Sequence, residues 1–312
     1  MKISAFCATT NALKFNYPVI ESIRSFLAIV DELVVIDGGS TDGTLEAIRS
    51  IGDPKVRIIC DEDTKWEEDW TYSRMSHNFN RGYEECTGDV VFKFDIDWIY
   101  KADPQKKFKD YCELMQSRGK LALQANKIHY VILDRHFTKK DSPFLVFKRN
   151  CESRGFKIKW GLDMEQWGWG NIPIIHKFTE NGTNFGHKIA NVDMDAIVGE
   201  IHAYDFSFMN EEQLKELRYR NYYALTKQAH LEYGKVTVRK PIATPERVRG
   251  DREYVYDLWK GETRANFERR QSIVPLDYHS VHIREKVRTI KPDMFGYNAF
   301  GIINEKCSYG YL

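Results

Sequence analysis

Val34-Val35-Ile36-Asp37-Gly38-Gly39-Ser40-Thr41-Asp42-Gly43-Thr44, residues 34–44, is a buried strand that ends abruptly in a turn rich in glycine and acid. Gly38, Gly39 and Gly43 allow tight turning and a close approach of backbone to a ligand. Upstream, Lys2 to Cys7 reads as another short buried strand, followed by a polar turn at Thr9, Thr10 and Asn11. Between the two strands, Pro18 to Val30 carries Ile20, Ile23, Phe26, Leu27 and Val30 at helical spacing. Downstream, Thr44 to Ile51 resumes as a helix and Val56 to Cys60 as a strand. Strand, helix, strand, helix, strand is the opening of a parallel α/β sheet. Ligands bind such sheets at the carboxyl ends of their strands, where Thr9 and Asp37 both fall.

Farther along, Ser73 to Cys86 is helix-like, and Asp89 to Phe94 is a strand that runs into Asp95-Ile96-Asp97-Trp98. Two carboxylates one residue apart at a strand's end can reach one divalent cation. Oxygen ligands of this kind suit Mg²⁺ or Mn²⁺, which keep positions open for diphosphate oxygens. A solvated acidic turn is the plain alternative for Asp95 and Asp97. For the first turn, the alternative is a β-turn in which Ser40 or Asp42 caps the next helix. The turn is not a phosphate-binding P-loop, because no Gly-Lys-Ser/Thr follows it. Residues 105–118 look helical, Leu121 to Leu133 and Phe144 to Lys148 suggest further strands, and Asn210 to Glu232 reads as a long polar helix.

Residues 34–44 (VVIDGGSTDGT) resemble the signature of family-2-type glycosyltransferases of the GT-A fold. Residues 80–89 (NRGYEECTGD) are similar to that family's N-x-G-x-x-x-A-x-G-D passage from helix to strand, with Cys86 where Ala is usual. Asp95-Ile96-Asp97 matches the family's metal-binding D-x-D, and the order and spacing agree across residues 2–98. The resemblance implies a GT-A-like sheet over residues 1–205 and leaves 206–312 as a mainly helical extension, a candidate for the acceptor side. It implies that Thr9 touches the nucleotide, that Asp37 contacts the base, commonly uracil, and that Arg74 binds the base or the diphosphate. Asp95 is expected near ribose and metal, with Asp97 as the principal ligand of Mn²⁺ or Mg²⁺. Where the family often carries Glu after the first strand, this chain has Ala12-Leu13-Lys14, so the first-strand contacts depart from the pattern.

Residues 201–206 (IHAYDF) resemble the His-Tyr strand of a GT-A subset, which makes His202 a candidate third metal ligand; a half-buried structural histidine is the alternative. An inverting transferase needs a carboxylate to deprotonate the acceptor hydroxyl. Asp163 and Glu165 are the leading candidates for that base, with Asp193, Asp195 and Asp205 as rivals. The activity implied is metal-dependent transfer of a sugar from a nucleotide diphosphate donor, UDP-sugar favoured, to an acceptor left open among glycan, lipid-linked, small-molecule and nucleic-acid classes. A nucleotidyltransferase on a related sheet would carry a Gly-rich basic loop after the first strand, whereas this chain has Ala8-Thr9-Thr10-Asn11. A catalytically inactive sugar- or nucleotide-binding module, and a transferase acting on modified bases in DNA, remain as alternatives.

Charge adds little direction. The 312 residues carry a formal net charge of +1, so no whole-molecule field points to nucleic acid or membrane. From residue 206 onward there are 19 Lys and Arg against 14 Asp and Glu, a net +5 that leaves −4 for residues 1–205. The basic stretch Lys235 to Arg252 suits either phosphates or a solvated surface. The six cysteines form no C-x-x-C pair and read as reduced thiols. No run approaches the ~20 apolar residues of a membrane span. The expectation is a cytoplasmic protein.

Overall fold

The computed structural model describes residues 1–61, 72–101, 105–133, 135–138, 143–160, 173–179, 182–187, 192–193, 199–205, 207–221, 252–257, 272–273 and 275–288. In chain order the elements are β1 (Ile3–Thr9), α1 (Val19–Leu27), β2 (Glu32–Asp37), α2 (Thr44–Arg49), β3 (Val56–Cys60), α3 (Tyr72–Glu85), β4 (Val90–Lys93) and β5 (Trp98–Lys101). Next come α4 (Gln105–Ser117), β6 (Ala122–Gln124), β7 (Lys127–Ile132), β8 (Arg135–Thr138), β9 (Phe144–Phe147), α5 (Lys148–Ser153) and β10 (Phe156–Trp160). They are followed by β11 (Pro173–Thr179), β12 (Gly182–His187), β13 (Val192–Asp193), β14 (Glu200–Ala203) and a helix at 211–221, here α6.

The α/β expectation is met. A seven-stranded sheet runs β13-β6-β9-β4-β1-β2-β3, with β1 parallel to both β2 and β4. Strand β9 lies antiparallel between β4 and β6, so the sheet is mixed. Alternation along β1 sets the two faces. Ile3, Ala5 and Cys7 face a core shared with Val19, Ile23 and Phe26 of α1, where the Phe26 ring stacks on Phe94 at 4.0 Å. Phe6 faces the other way, into a core with Phe79, Tyr83 and Trp160. Each such side chain, fully buried, contributes roughly 1.5–3 kcal/mol of transfer free energy. Gly82 lets α3 lie directly on β1, since a Cβ there would stand 2.5 Å from the Phe6 ring.

The strand-like stretch from Leu121 to Leu133 forms two strands in different sheets. The chain leaves the large sheet after Gln124, where Ala125 N–H bonds to the Pro143 carbonyl, and Asn126 accepts from Ile201 N–H as β7 begins. Strand β7 belongs to a five-stranded sheet of order β15-β8-β7-β14-β5, in which β15 is Ser272–Ile273. The C-terminal segment adds more than helix: besides β15, Ile283 and Val287 pack with Ile99, Tyr130 and Tyr204. His279 is buried between the Tyr204 hydroxyl at 2.6 Å and the Leu133 carbonyl at 2.7 Å. The five described cysteines, Cys7, Cys60, Cys86, Cys112 and Cys151, are free thiols. Among the described residues no helix is long and apolar enough to cross a membrane.

Candidate active site

Two turns meet at the carboxyl edge of β1 and β2. The Asp37 carboxylate accepts from Gly39 N–H at 3.1 Å, Ser40 N–H at 2.9 Å and the Ser40 hydroxyl at 2.6 Å. Asp37 is wholly buried. It therefore shapes its own turn from beneath. Gly39 and Gly43 take positive φ of 80° and 90°, the region open to glycine. The loop after β1 is sewn to this turn: Asn11 N–H bonds to the Ser40 hydroxyl, Thr41 N–H to the Asn11 side-chain carbonyl, and Lys14 N–H to Asp42. Thr9, in register with Asp37, presents a buried hydroxyl oxygen that has no hydrogen-bond partner among the described residues.

Beside these turns lies the acidic pair. Asp95-Ile96-Asp97 is the junction at which the chain passes from β4 in the large sheet to β5 in the other. A tight turn closes it, with Trp98 N–H on the Asp95 carbonyl at 2.9 Å. The antiparallel register of β14 on β5 pairs Ala203 with Trp98, and Tyr204 N–H donates to the Asp97 carbonyl at 3.0 Å. That register carries Asp205 close enough to Asp97 for its charge to act on the Asp97 carboxyl. Burial, followed by the charges of Asp205 and Asp95, holds the Asp97 carboxyl well above the usual carboxylate range. His129 Nδ1 lies 3.0 Å from the other side of Asp205.

Two lysines balance this negative charge from within. Lys93 is 2% exposed and ion-pairs with Asp95. Its ammonium lies 4.4 Å from the Phe79 ring centroid, and Lys127 approaches the Trp98 ring at 4.5 Å. Burial lowers the Lys93 pKa, and Asp95 opposes that shift. From the far side, α6 brings Arg218 and Arg220 within electrostatic reach of the buried Tyr17 hydroxyl. Burial and Asp97 push that hydroxyl up, while the two arginines pull it down. Helix α6 is held there by Asn16 Nδ2 on the Phe208 carbonyl at 2.6 Å, Gln213 Nε2 on the Lys14 carbonyl at 2.7 Å, and a Lys14–Glu216 ion pair at 2.7 Å.

The structure thus gathers Asp95, Asp97 and, unforeseen as a partner for them, Asp205. The His202 imidazole is wholly buried, stacked on Tyr278 at 5.5 Å and tilted against Tyr130 at 5.2 Å. The physical reason is strand register, since His202 stands opposite Ile99 inside the sheet rather than at its edge. Arg74 is half-buried at the start of α3. Asp163, Glu165 and Asp195, and the basic stretch up to residue 251, lie outside the described residues. Lys93 was legible in one respect: a lysine inside Val90-Val91-Phe92-Lys93-Phe94 must be buried, and a buried charge needs a partner.

Among the described residues no three His, Cys, Asp or Glu side chains form a ready cation cage. Two carboxylates do fit Mg²⁺ or Mn²⁺, which are commonly held by one or two carboxylates together with substrate phosphates. The nearness of Asp205 to Asp97 supports the fit, because two adjacent carboxylates repel unless a cation or a proton lies between them.

Residues 14–150 match the protein family described as glycosyltransferase like family 2. No curated protein sequence matches. Among solved structures, residues 1–349 of TarS from S. aureus align at 16% identity over 75% of this chain and 68% of that one, with a TM-score of 0.40. Of a longer TarS structure the chain spans 44%. The mannosyltransferase PcManGT from Pyrobaculum calidifontis, solved with GDP-Man and Mn²⁺, aligns at 13% identity over 81% of this chain and 71% of that one, with a TM-score of 0.40. Glucosyl-3-phosphoglycerate synthase from Mycobacterium tuberculosis aligns at 18% identity over 51% and 60%, with a TM-score of 0.33.

Proposed function

We propose that this chain, whose residues 14–150 match glycosyltransferase like family 2, moves a sugar from a nucleotide diphosphate donor in a metal-dependent reaction, with UDP-sugar favoured. The observation that carries the reading is the carboxyl cluster of Asp97, Asp205 and Asp95 beside the carboxyl edge of β1 and β2. Asp97 and Asp205 would hold Mn²⁺ or Mg²⁺. Bound there with the donor, the cation would act as a Lewis acid that offsets charge on the departing nucleoside diphosphate.

The chain's own groups divide the remaining work. His129 fixes the orientation of Asp205 through its Nδ1 contact. Lys93 neutralises Asp95, so that the site is not left with three uncompensated carboxylates. Arg218 and Arg220 approach from α6, on the side where Tyr17 feels both them and Asp97. They are placed to meet diphosphate oxygens, for which the planar guanidinium is well matched. Thr9 offers its hydroxyl at the end of β1. Direct displacement at the anomeric carbon, with inversion, requires a carboxylate on the opposite face; Asp163, or Glu165 beside it, is the proposed base. The acceptor is left open.

The test is release of nucleoside diphosphate from a panel of nucleotide sugars, with Mn²⁺, Mg²⁺ or EDTA and no added acceptor. Slow hydrolysis of one donor, stopped by EDTA, is expected. No turnover of any donor, together with no rise in melting temperature from any donor in Mn²⁺, overturns the proposal.

A further inference from the structure

His129 and Asp205 meet at 3.0 Å, Nδ1 of the imidazole against Oδ2 of the carboxylate, but they do not stand on equal footing. His129 belongs to β7, inside a sheet, whereas Asp205 lies two residues past the end of β14. The imidazole is 3% exposed and the carboxylate 26%, so the ring is held by its surroundings and the carboxylate is the group with room to turn.

Sheet register brings the two together. Ala203 pairs with Trp98 of β5 on one side and with His129 of β7 on the other, so these three side chains stand in one row on one face. Beyond Ala203 the chain bends at Asp205. On the opposite face the next residues in sequence are locked together: the Tyr130 ring stacks on Tyr204 at 4.9 Å, with 7° between their planes. Tyr204 N–H is tied to the Asp97 carbonyl, and the Ser207 hydroxyl to the Tyr130 carbonyl. These ties fix the backbone of the bend, and the His129 contact sets the Asp205 side chain upon it. An ionised carboxylate only accepts, so Nδ1 carries the hydrogen. Oδ2 is thereby committed to the imidazole, and a cation shared with Asp97 would be met through Oδ1.

Resting on the metal reading above, we propose that His129 is a positioning residue that decides which cation the site takes: by holding Asp205 to one ligating oxygen, it favours Mn²⁺ or Mg²⁺ over Ca²⁺. The small octahedral ions are served by one oxygen from each carboxylate, whereas Ca²⁺ gathers about 6–8 oxygens and readily uses both oxygens of one carboxylate. Hydrogen-bond partners behind a ligand change metal affinity by about 10–100-fold. Asparagine and glutamine separate this role from simple packing. An Asn side-chain nitrogen is bonded to Cγ, as Nδ1 is, and donates from the same place. A Gln nitrogen lies one bond farther out, near the position of Nε2.

The experiment follows melting temperature against Mn²⁺ and Ca²⁺ concentration, with and without UDP, in wild type, His129→Asn and His129→Gln. Wild type is expected to be half-saturated by Mn²⁺ at a concentration about 10-fold or more below that needed of Ca²⁺. His129→Gln, shown to be folded by its melting transition in EDTA, should need about 10-fold more Mn²⁺ and should narrow or invert the preference. His129→Asn should stay within about 3-fold of wild type for both cations. A folded Gln variant that keeps wild-type Mn²⁺ affinity and preference overturns the role of His129, as does a folded Asn variant that loses as much as Gln. A wild type that takes Mn²⁺ and Ca²⁺ equally overturns it without any variant and leaves the metal site standing. A wild type that binds neither cation, with UDP or without, overturns the metal reading and this inference together.

Discussion

The carboxyl group of Asp97 feels the charge of Asp205 across the junction of β5 and β14. Neither is a neighbour of the other in sequence; the pairing of Ala203 with Trp98 makes them neighbours in space. A divalent cation between them would offset the repulsion of two neighbouring carboxylates. Asp97→Asn and Asp205→Asn should each lower Mn²⁺-dependent donor hydrolysis by about 100-fold or more. Each should keep its melting temperature in EDTA, because a buried repulsion is relieved. An active Asp97→Asn enzyme sinks the metal assignment.

His202 offers the contrasting case. His202→Phe keeps an aromatic ring between Tyr130 and Tyr278. The rise in melting temperature produced by Mn²⁺ should survive this change. Its disappearance in a folded His202→Phe protein would make the imidazole a metal ligand.

Lys93 and Asp95 form an ion pair whose lysine is 2% exposed and whose aspartate is 33% exposed. Breaking a buried pair from one side leaves an uncompensated charge, and Lys93→Met should cost about 3 kcal/mol of stability. The double variant Lys93→Met with Asp95→Asn should cost less than the sum of the two single changes. Urea denaturation of the four proteins checks this, and strict additivity refutes the coupling.

Glu32 supplies the pH dependence. Burial alone would raise its pKa, but the Ser4 hydroxyl, the Thr87 backbone N–H and hydroxyl, and Lys2 together bring it below the ordinary 4.5. A depressed folded pKa adds stability that is present above the unfolded value and lost as pH falls through the folded one. At pH 7, Glu32→Gln should therefore melt below wild type, and the gap should close as the solution is taken below pH 4.5. A gap that stays constant from pH 7 to pH 3 refutes the linkage.

Much of the nucleotide half was readable because it is local. Val34 to Thr44 declares its strand, its turn and its glycines within eleven positions, and Asp95-Ile96-Asp97 ends the strand that precedes it. What the sequence could not disclose depends on register between distant strands. Asp205 was visible only as one acid among several, because nothing near it reveals that β14 will pair with β5. His202 drew notice as a histidine on a strand, yet its opposite number, Ile99, fixes it inside an aromatic cluster. The antiparallel insertion of β9, and the transfer of the chain between sheets at Ala125, leave no periodic trace either.

The stretch from Asn11 to Asn16 is fastened on two sides, to the turn after β2 through Asn11 and Lys14, and to the region of α6 through Lys14 and Asn16. It behaves as a tie-rod. A shift of the turn beyond hydrogen-bond tolerance must either drag the helix along or break the bonds that hold Lys14 and Asn16. The glycine turn and the helix that carries Arg218 and Arg220 are thereby mechanically coupled.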